Sequence, residues 1–319
     1  MHVAVVGAGA IGTWLGAALA RAGHDVALIA RGPHLDAMRA AGGVTLGGEH
    51  VPLLATGDPA EIGPVDAVIL SVKAHDQAAA GAAMVPLLGP DTPIVSAQNG
   101  IPWWYFHGHP AHPSRRVEAV DPGGAVTAVL DPARAIGLVV YLGARVAAPG
   151  VVETRPEAGL VIGEPDGSTS ARLTAIADAL EDAGFPVRRT PDIRTELWTK
   201  LMGNAAFNPI SILTRAGLGT MASDPGVRAV AARVMAETVE VAGALGAAPA
   251  ISIDDRLAIT ARLGDHKTST LQDLEAGRRL ELAAITGAVV ELADLTGVAA
   301  PTLRTVHALA ALAASSAAR

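Results

Sequence analysis

Apolar residues follow two different patterns along the chain, and the change between them falls near residue 190. Up to that point, short apolar runs bounded by glycine, proline or charged residues alternate with helical periodicities. Such runs predict buried strands, and the periodic stretches predict covering helices. The predicted strands span residues 2–6, 25–30, 51–55, 67–72, 93–97, 135–142 and 150–153, and the predicted helices include 13–22, 77–87 and 171–183. This alternation is typical of a mostly parallel, doubly wound α/β sheet that binds ligands at the carboxyl ends of its strands.

Beyond residue 190 the pattern is helical. Alanine, leucine and valine recur at helical spacing over residues 193–213, 226–245, 253–263, 271–295 and 301–314, with no convincing strand. The sequence therefore predicts two domains, a sheet domain in residues 1–190 and an all-helical domain in residues 191–319. Pockets form preferentially where domains meet, so a cleft between the two is the expected substrate site.

The first predicted strand leads directly into a glycine-rich turn. In a strand–turn–helix context, its G-x-G-x-x-G pattern predicts dinucleotide binding, with a purely structural turn as the alternative. The first glycine allows the tight turn, the second lets the backbone approach a pyrophosphate, and the third lets the helix pack close to the strand. The sheet domain is therefore predicted to be of the Rossmann type, with cofactor contacts at Gly7, Ala8, Gly9, Ala10, Ile11 and Gly12.

Arg31 follows the second predicted strand and indicates which dinucleotide binds. An NAD site usually has a carboxylate there, about 20 residues past the glycines, to accept a hydrogen bond from the ribose 2′-hydroxyl. This chain has an arginine instead, with Gly32 and Pro33 turning the backbone after it. A guanidinium presents paired donors to a phosphate, so NADP is the expected cofactor. An ordinary solvated loop arginine is the alternative.

A row of polar residues marks the first helix of the helical domain. Lys200, Asn204 and Asn208 stand four residues apart in an otherwise apolar helix. Successive members drift by only about 40° around the helix, so the three share one face. An ammonium and two amides in line suit an anionic, hydroxylated substrate, and the apolar surroundings favour a wet cleft over bulk solvent.

Composition and charge narrow the class of protein. The net charge of −7 argues against a general nucleic-acid binder. No uninterrupted apolar stretch reaches the 18 or so residues that a membrane span needs. The chain has no cysteine, which excludes disulfides and thiolate chemistry, and its predicted first strand leaves no room for a signal peptide. We therefore expect a cytoplasmic enzyme that binds neither nucleic acid nor membrane.

Five segments, taken in order, resemble the ketopantoate reductase family over nearly the whole chain. They are the glycine turn, Ser71-Val72-Lys73-Ala74, Gln98-Asn99-Gly100, Leu197-Trp198-x-Lys200-Leu201-x-x-Asn204-x-x-x-Asn208-Pro209, and Ser269-x-Leu271-Gln272-Asp273 followed by Glu281 and Gly287. The resemblance implies NADPH-dependent reduction of 2-dehydropantoate to (R)-pantoate, a step toward pantothenate and coenzyme A. It also implies a homodimer.

The resemblance also assigns roles to individual residues. Lys200 matches the proton donor, which is chemically sensible because hydride attack on a ketone leaves an alkoxide that an ammonium can protonate. The residues that match substrate contacts are Asn204, Asn208 and Ser269, and Asn99 is placed to hold the substrate carbonyl or the nicotinamide ribose. Matches to cofactor contacts are Lys73, Ala144 and Glu281.

Each assignment has a structural alternative. The alternative for Lys73 is an ordinary surface lysine. The alternative for Asn99-Gly100 is a purely structural turn. Ser269 has the residue type of a helix N-cap. Glu281 has arginine neighbours at positions 278 and 279 with which it can pair on a solvated face.

Two departures from the family pattern concern the substrate. Residues 101–112 form a segment rich in tryptophan, tyrosine, phenylalanine and histidine, which we interpret as a lid or wall of the pocket. Leu218 stands where some family members supply another substrate-binding asparagine. Reduction of a different 2-keto acid, oxidation of a 2-hydroxy acid, and a non-catalytic NADP sensor therefore remain alternatives. His107, His109 and His112 have no acidic or thiol residue beside them, and hydride transfer needs no metal, so no metal site is expected.

Overall fold

The protein folds into two compact units, seen in a computed structural model that describes residues 1–113, 115–141, 143–155 and 159–317. The sheet unit comprises Met1–Gln98, Phe106–Ser114 and Gly124–Ile193, and the helical unit comprises Asn99–Tyr105, Arg115–Gly123 and Arg194–Arg319. The last crossing of the chain, at residue 193, lies close to the boundary expected after residue 190. Residues 99–105 and 115–123 join the helical unit, which a single boundary did not anticipate.

The strands of the sheet unit occur where short apolar runs meet turn residues. They are β1 (His2–Val6), β2 (Asp25–Ile29), β3 (Gly43–Leu46), β4 (Glu49–Pro52), β5 (Leu54–Thr56), β6 (Ala67–Leu70), β7 (Ile94–Ser96), β8 (Ala135–Val140), β9 (Ala144–Ala148), β10 (Val151–Thr154), β11 (Leu160–Gly163) and β12 (Val187–Arg189). Eight of them form the main sheet in the order β12-β11-β8-β7-β6-β1-β2-β5. All neighbours in it run parallel except β8 and β11. The mostly parallel Rossmann-type sheet predicted from the sequence is therefore confirmed.

Helices connect the parallel strands and cover the sheet. They are α1 (Ala10–Arg21), α2 (Gly32–Ala41), α3 (Gln77–Ala83) and α4 (Ala171–Asp182), with 3-10 turns at Pro59–Glu61, Ala74–Asp76, Val85–Leu87, Pro122–Gly124 and Pro132–Arg134. The central strands are buried on both faces, and their side chains pack with α1 and α4 in one apolar core. This burial accounts for the continuous apolar runs in the sequence.

A second, four-stranded sheet was not predicted. Its order is β4-β3-β10-β9, and it takes the strand expected at residues 150–153 away from the main sheet. The single strand expected at 51–55 is in fact divided between β4 in this sheet and β5 in the main one. These strands are short and β9 is mostly exposed, so they lack the apolar pattern that identifies a strand. The strand expected at 135–142 ends at Val140, and Leu142 lies outside the described residues.

The helical unit follows the predicted periodicities with one correction. Its helices are α5 (Ile193–Thr214), α6 (Leu218–Ser223), α7 (Pro225–Ala244), α8 (Ile253–Arg262), α9 (Ser269–Glu275), α10 (Ala288–Thr296) and α11 (Pro301–Ala317), and a π-helical turn (Ala283–Gly287) precedes α10. The continuous helix predicted at 271–295 is wrong. Gly277, with φ +64°, takes a left-handed conformation after α9, and the Arg278 N–H donates to the Asp273 carbonyl across the helix end. In the described part of the chain, no helix has both the length and the apolar character for a membrane crossing.

Candidate active site

The glycine turn between β1 and α1 is shaped by close packing at its first and last glycines. Gly7 has φ +102°, and a Cβ there would lie 2.7 Å from the backbone nitrogen of Val72. A Cβ at Gly12 would lie 2.3 Å from both the Gly7 carbonyl oxygen and Ser71 Oγ. The hydroxyl of Ser71 donates to that same carbonyl, at 2.7 Å. Glycine is therefore required at positions 7 and 12 for the turn itself.

Gly9 differs from both, because a Cβ there would meet no atom within 4 Å. It is the N-cap residue of α1, it has no side-chain capping hydrogen bond, and no acidic residue occupies the first turn. The N–H groups of Ala10 and Ile11 in that first turn have no partner within the helix. The N-terminus of a helix attracts anions, because its free N–H groups carry partial positive charge. The absence of a Cβ at Gly9 leaves room for a pyrophosphate in front of these groups. The turn thus fits the diphosphate of a dinucleotide.

Charged residues lie at the carboxyl ends of the strands beside this turn. Arg31 follows β2, is 87% exposed, and its Nη2 lies 2.8 Å from Oδ2 of Asp76. Lys73 follows β6 and directly precedes the 3-10 turn that carries Asp76. The sequence did not indicate Asp76, because it lies 45 residues from Arg31. The two residues meet only because the strands before them, β2 and β6, lie on either side of β1 in the sheet. Ala144 begins β9 in the small sheet and packs partly buried against the core of the sheet unit.

Lys200 and Asn99 come together in the helical unit. The Lys200 ammonium donates to Asn99 Oδ1 over 2.6 Å. Asn99 reaches this position through a turn that docks on the π-helical turn at 283–287. Gly100 has φ +82° and lies so close that a Cβ would be 2.3 Å from the Ala284 carbonyl oxygen, which accepts from the Ile101 N–H at 2.9 Å. The glycine and this backbone contact hold the amide of Asn99 against the lysine.

The surroundings of Lys200 weaken its hold on the proton. Desolvation and, to a smaller extent, the positive charge of Arg256 lower its pKa from 10.5 to about 8, while the negative charge of Glu281 acts in the opposite direction. Groups with a pKa near the working pH are effective general acids. Glu281 lies just before the π-helical turn and is half-buried. Of the two arginines in the solvated-face alternative, Arg278 donates through Nε to Asp273 Oδ1 at 2.8 Å.

The two asparagines of the predicted row lie in α5 together with Lys200. Asn204 is half-buried, and Asn208 is only 4% exposed. The amide nitrogen of Asn208 is buried without a hydrogen-bond partner among the described residues. Buried amides are almost always paired, so this donor indicates a place for a polar ligand group.

Ser269 is the first residue of α9 and is exposed. The alternative that it caps this helix is wrong, since the cap is Thr268, whose Oγ1 accepts from the Leu271 N–H at 3.0 Å. Thr268 Oγ1 also lies 2.6 Å from Ser211 Oγ, a hydrogen bond between α5 and the start of α9. The Ser269 hydroxyl thus has no capping role, and its substrate role stays a prediction.

The aromatic segment is interior rather than a lid. Trp103, Trp104, Tyr105 and Phe106 are all buried, each with at most 4% of its surface exposed. Within the helical unit, the Tyr105 hydroxyl accepts from Trp198 Nε1 at 2.8 Å. The Tyr105 carbonyl accepts from Arg194 Nε, also at 2.8 Å. Burial contradicts an exposed lid, and Tyr105 supports α5 through Arg194 and Trp198, upstream of Lys200.

The histidines of this segment belong to the sheet unit. Phe106, His109 and His112 form a ring cluster with centroid distances of 5.3–5.6 Å, and His109 Nδ1 accepts from the Ala111 N–H. No group of three or more possible metal ligands was found in the described ranges. Edge-on ring packing and a local hydrogen bond account for the placement of His109 and His112.

A glycine turn fitted to a dinucleotide and a lysine of near-neutral pKa place the protein among the dinucleotide-dependent oxidoreductases with a Rossmann-type sheet. Family models specify the group. Residues 3–167 match the model for ketopantoate reductase PanE/ApbA, and residues 192–314 match the model for its C-terminal part. The chain belongs to the ketopantoate reductase family.

Individual relatives agree with this assignment. A 2-dehydropantoate 2-reductase of Mesorhizobium japonicum is 42% identical over 97% of this chain and 96% of its own. A solved structure from Ralstonia solanacearum MolK2, described as a ketopantoate reductase, is 36% identical with a TM-score of 0.93 and covers 99% of this chain and 98% of its own. The 2-dehydropantoate 2-reductase of Geobacter metallireducens GS-15 is 28% identical with a TM-score of 0.85, covering 98% of this chain and 100% of its own. The resemblance seen in the five sequence segments is confirmed.

Proposed function

We propose that this protein reduces 2-dehydropantoate to (R)-pantoate with NADPH, and that Lys200 is the proton donor. The observation that carries the proposal is the Lys200 ammonium, held at 2.6 Å by Asn99 and brought to a pKa of about 8. An ammonium of that strength protonates an alkoxide readily near neutral pH and is regenerated from solvent. The curated relatives with this activity cover nearly the whole chain.

The bound dinucleotide supplies the hydride that reduces the ketone carbon. The residues proposed to hold it are Gly7, Ala8, Gly9, Ala10, Ile11, Gly12, Arg31, Lys73, Asn99, Ala144 and Glu281. Support comes from the open space at Gly9 and from the uncapped start of α1, which suit a diphosphate. The exposed guanidinium of Arg31 suits a 2′-phosphate, which favours NADPH over NADH.

Substrate binding is proposed for Asn99, Asn204, Asn208 and Ser269. The buried, unpartnered amide nitrogen of Asn208 gains a hydrogen bond when a substrate oxygen arrives. Asn99 accepts one hydrogen bond from the Lys200 ammonium and so orients its remaining N–H groups toward the substrate. Lys200 then stabilises the negative charge that develops on the ketone oxygen and protonates that oxygen.

The direct test is a kinetic screen of the purified protein with 2-dehydropantoate and a panel of other 2-keto acids, each with NADPH and with NADH. We expect the highest kcat/KM with 2-dehydropantoate and NADPH. A higher value with another keto acid reassigns the substrate, and no turnover with any acid favours a non-catalytic NADP sensor. Lys200→Ala is expected to lower kcat about 100- to 10,000-fold without weakening NADPH binding.

We further propose that the protein acts in the cytoplasm as a homodimer. The support is the family resemblance, together with a net charge of −7 that disfavours binding to nucleic acid or to anionic membranes. Light scattering at micromolar concentration measures the mass of the particle. For a homodimer we expect about twice the chain mass of 32.1 kDa. Cell fractionation tests the location, and a particle of single-chain mass contradicts the dimer.

A further inference from the structure

The π-helical turn that receives the Asn99 turn is itself supported by the last helix of the chain. Thr286 lies in this turn and is fully buried, and its Oγ1 lies 2.6 Å from Nδ1 of His307 in α11. The same Oγ1 donates to the Leu282 carbonyl, four residues earlier, at 3.2 Å. The hydroxyl of Thr286 therefore joins the entry of the π-helical turn to α11, and both belong to the helical unit.

The two contacts of this hydroxyl indicate which atoms carry the protons. A threonine hydroxyl has a single proton, and the Leu282 carbonyl can only accept. Both hydrogen bonds form at once when the hydroxyl donates to the carbonyl and accepts from an N–H at His307 Nδ1. Burial lowers the pKa of the His307 imidazole below its ordinary value of 6.5, so the ring is neutral at neutral pH. A neutral ring with its proton on Nδ1 satisfies this network.

A π-helical turn is rare in proteins and occurs mostly at functional sites. In this one the Ala288 N–H donates to the Ala283 carbonyl, five residues earlier. The ring of His307 lies beside the end of the turn, where a Cβ at Gly287 would be 3.6 Å from its Cε1. A hydrogen bond to Thr286 and this close approach to Gly287 thus connect His307 with the last two residues of the π-helical turn.

The same turn makes the contact that places Asn99. The Ala284 carbonyl accepts from the N–H of Ile101, two residues after Asn99, at 2.9 Å. Asn99 in turn accepts from the Lys200 ammonium through its Oδ1. Successive contacts within the helical unit therefore connect His307 with the amide that holds the proposed proton donor.

We propose that His307 is a positioning residue for the reaction, which holds the π-helical turn through Thr286 and so keeps Asn99 in place against the Lys200 ammonium. His307 acts through these contacts and takes no part in proton transfer. A small displacement of a catalytic group lowers the rate by a large factor, because the reacting atoms must meet in a narrow range of geometry. The inference rests on the proposed reductase function.

Two threonine-to-valine substitutions form a matched test. Thr286→Val removes the hydroxyl that contacts both Leu282 and His307. The control, Thr238→Val, removes an equally buried hydroxyl that donates to the Val234 carbonyl, four residues earlier in α7, at 2.7 Å. Both variants lose a hydrogen bond to the carbonyl four residues back, and Thr286→Val also loses the bond to the histidine. We expect Thr286→Val to lower kcat about 10-fold and to change KM for NADPH less than about twofold, and Thr238→Val to keep the wild-type kcat.

Substitutions of His307 test the N–H donor itself. His307→Leu removes the donor and is expected to lower kcat as Thr286→Val does. His307→Asn retains an amide N–H near the position of Nδ1 and should recover part of the lost kcat. Cooperative thermal unfolding of each variant shows that it is folded. A folded His307→Leu with wild-type kcat contradicts the proposal, and so does an asparagine variant no more active than the leucine variant.

A double-mutant cycle with Asn99→Ala separates the positioning of Asn99 from a general loss of stability. Where the Asn99 amide is already absent, Thr286→Val should change kcat less than about twofold, because its effect passes through that amide. An equal loss of kcat with and without Asn99 overturns the proposal and leaves the reductase function standing. If the wild-type protein reduces no 2-keto acid, the reductase function itself is wrong, and the role of His307 is wrong with it.

Discussion

The chemistry assigned to Lys200 depends on how strongly its ammonium group holds a proton. Desolvation favours the neutral amine. The negative charge of Glu281 favours the ammonium and raises the pKa, whereas the positive charge of Arg256 favours the amine and lowers it. The resulting pKa of about 8 makes Lys200 a much stronger acid than a solvated lysine, although it stays mostly protonated at neutral pH. Because opposing effects set the pKa of Lys200, removing the charge of one neighbour should shift it.

The pH dependence of kcat should report this balance. Only the protonated lysine donates a proton, so we expect kcat to fall as the pH rises through about 8. In Glu281→Gln a charge that raises the pKa is gone, and the falling limb should move to lower pH. The control is Glu275→Gln, which removes the carboxylate that pairs with Lys267 at 2.8 Å. Steady-state kcat at saturating substrate and cofactor, measured from pH 6 to 10, checks this; an unmoved limb in Glu281→Gln contradicts the role of that carboxylate.

Cofactor selectivity should respond to Asp76. Its carboxylate lies 2.8 Å from the Arg31 guanidinium that we propose for the 2′-phosphate, so it competes for the arginine and repels the phosphate. Asp76→Asn should lower KM for NADPH a few-fold, the modest size reflecting an exposed pair, and leave KM for NADH nearly unchanged. Asp36→Asn in α2 is the control for net charge. If both cofactors respond equally to Asp76→Asn, the 2′-phosphate is not at Arg31.

At the scale of elements, the lysine helix was predictable and its supports were not. The helical period over residues 193–213 identifies α5 from the sequence alone, and the polar row within it indicates the face that we propose binds the substrate. The turn at Asn99 and the π-helical turn at 283–287 meet through backbone contacts between residues far apart in sequence, which no local pattern indicates. The interpretation of the aromatic segment as a lid was wrong for the same reason, because the burial of these residues and the partner of Tyr105 on α5 are known only from the fold. That the segment forms a wall of the pocket stays a prediction.

Gly100 is expected to determine whether Asn99 reaches the lysine. Alanine at this position must adopt φ +82° and bring its Cβ to within 2.3 Å of the Ala284 carbonyl oxygen. Gly100→Ala should therefore cost about 2 to 4 kcal/mol of unfolding free energy and lower kcat about 10- to 100-fold. Gly184→Ala is the matched control, since Gly184 has φ +86° and nothing within 4 Å of its Cβ position. It should cost about 1 to 2 kcal/mol and leave kcat unchanged.

Urea unfolding and steady-state kinetics measure both quantities. If the two alanine variants lose the same stability and both keep wild-type kcat, the docking of the Asn99 turn on the π-helical turn has no part in catalysis.

At the scale of the whole molecule, the sequence predicted the main sheet and the helical region because each has a single hydrophobic period. It did not predict the small sheet, whose strands are short and partly exposed. It also did not predict that residues 99–105 and 115–123 belong to the helical unit, since membership of a compact unit depends on contacts distant in sequence. The tight packing of the glycine turn was predicted, because the turn restricts positions 7 and 12 to glycine at fixed spacing, whereas its contacts with a cofactor stay a prediction.

The stability of the whole protein should distinguish the glycines of that turn. A ligand that binds only the folded state stabilises it, by about 2.7 kcal/mol at a concentration 100 times its Kd, so NADPH should raise the Tm of the wild type. Gly9→Ser adds a Cβ in open space and supplies a favourable N-cap residue, so the free protein should keep its Tm. The same Cβ occupies the position expected for the pyrophosphate, so the rise in Tm with NADPH should be lost. Gly12→Ala should instead lower the Tm of the free protein, because its Cβ would lie 2.3 Å from two oxygens. A wild-type rise in Tm that persists in Gly9→Ser would show that the dinucleotide binds elsewhere.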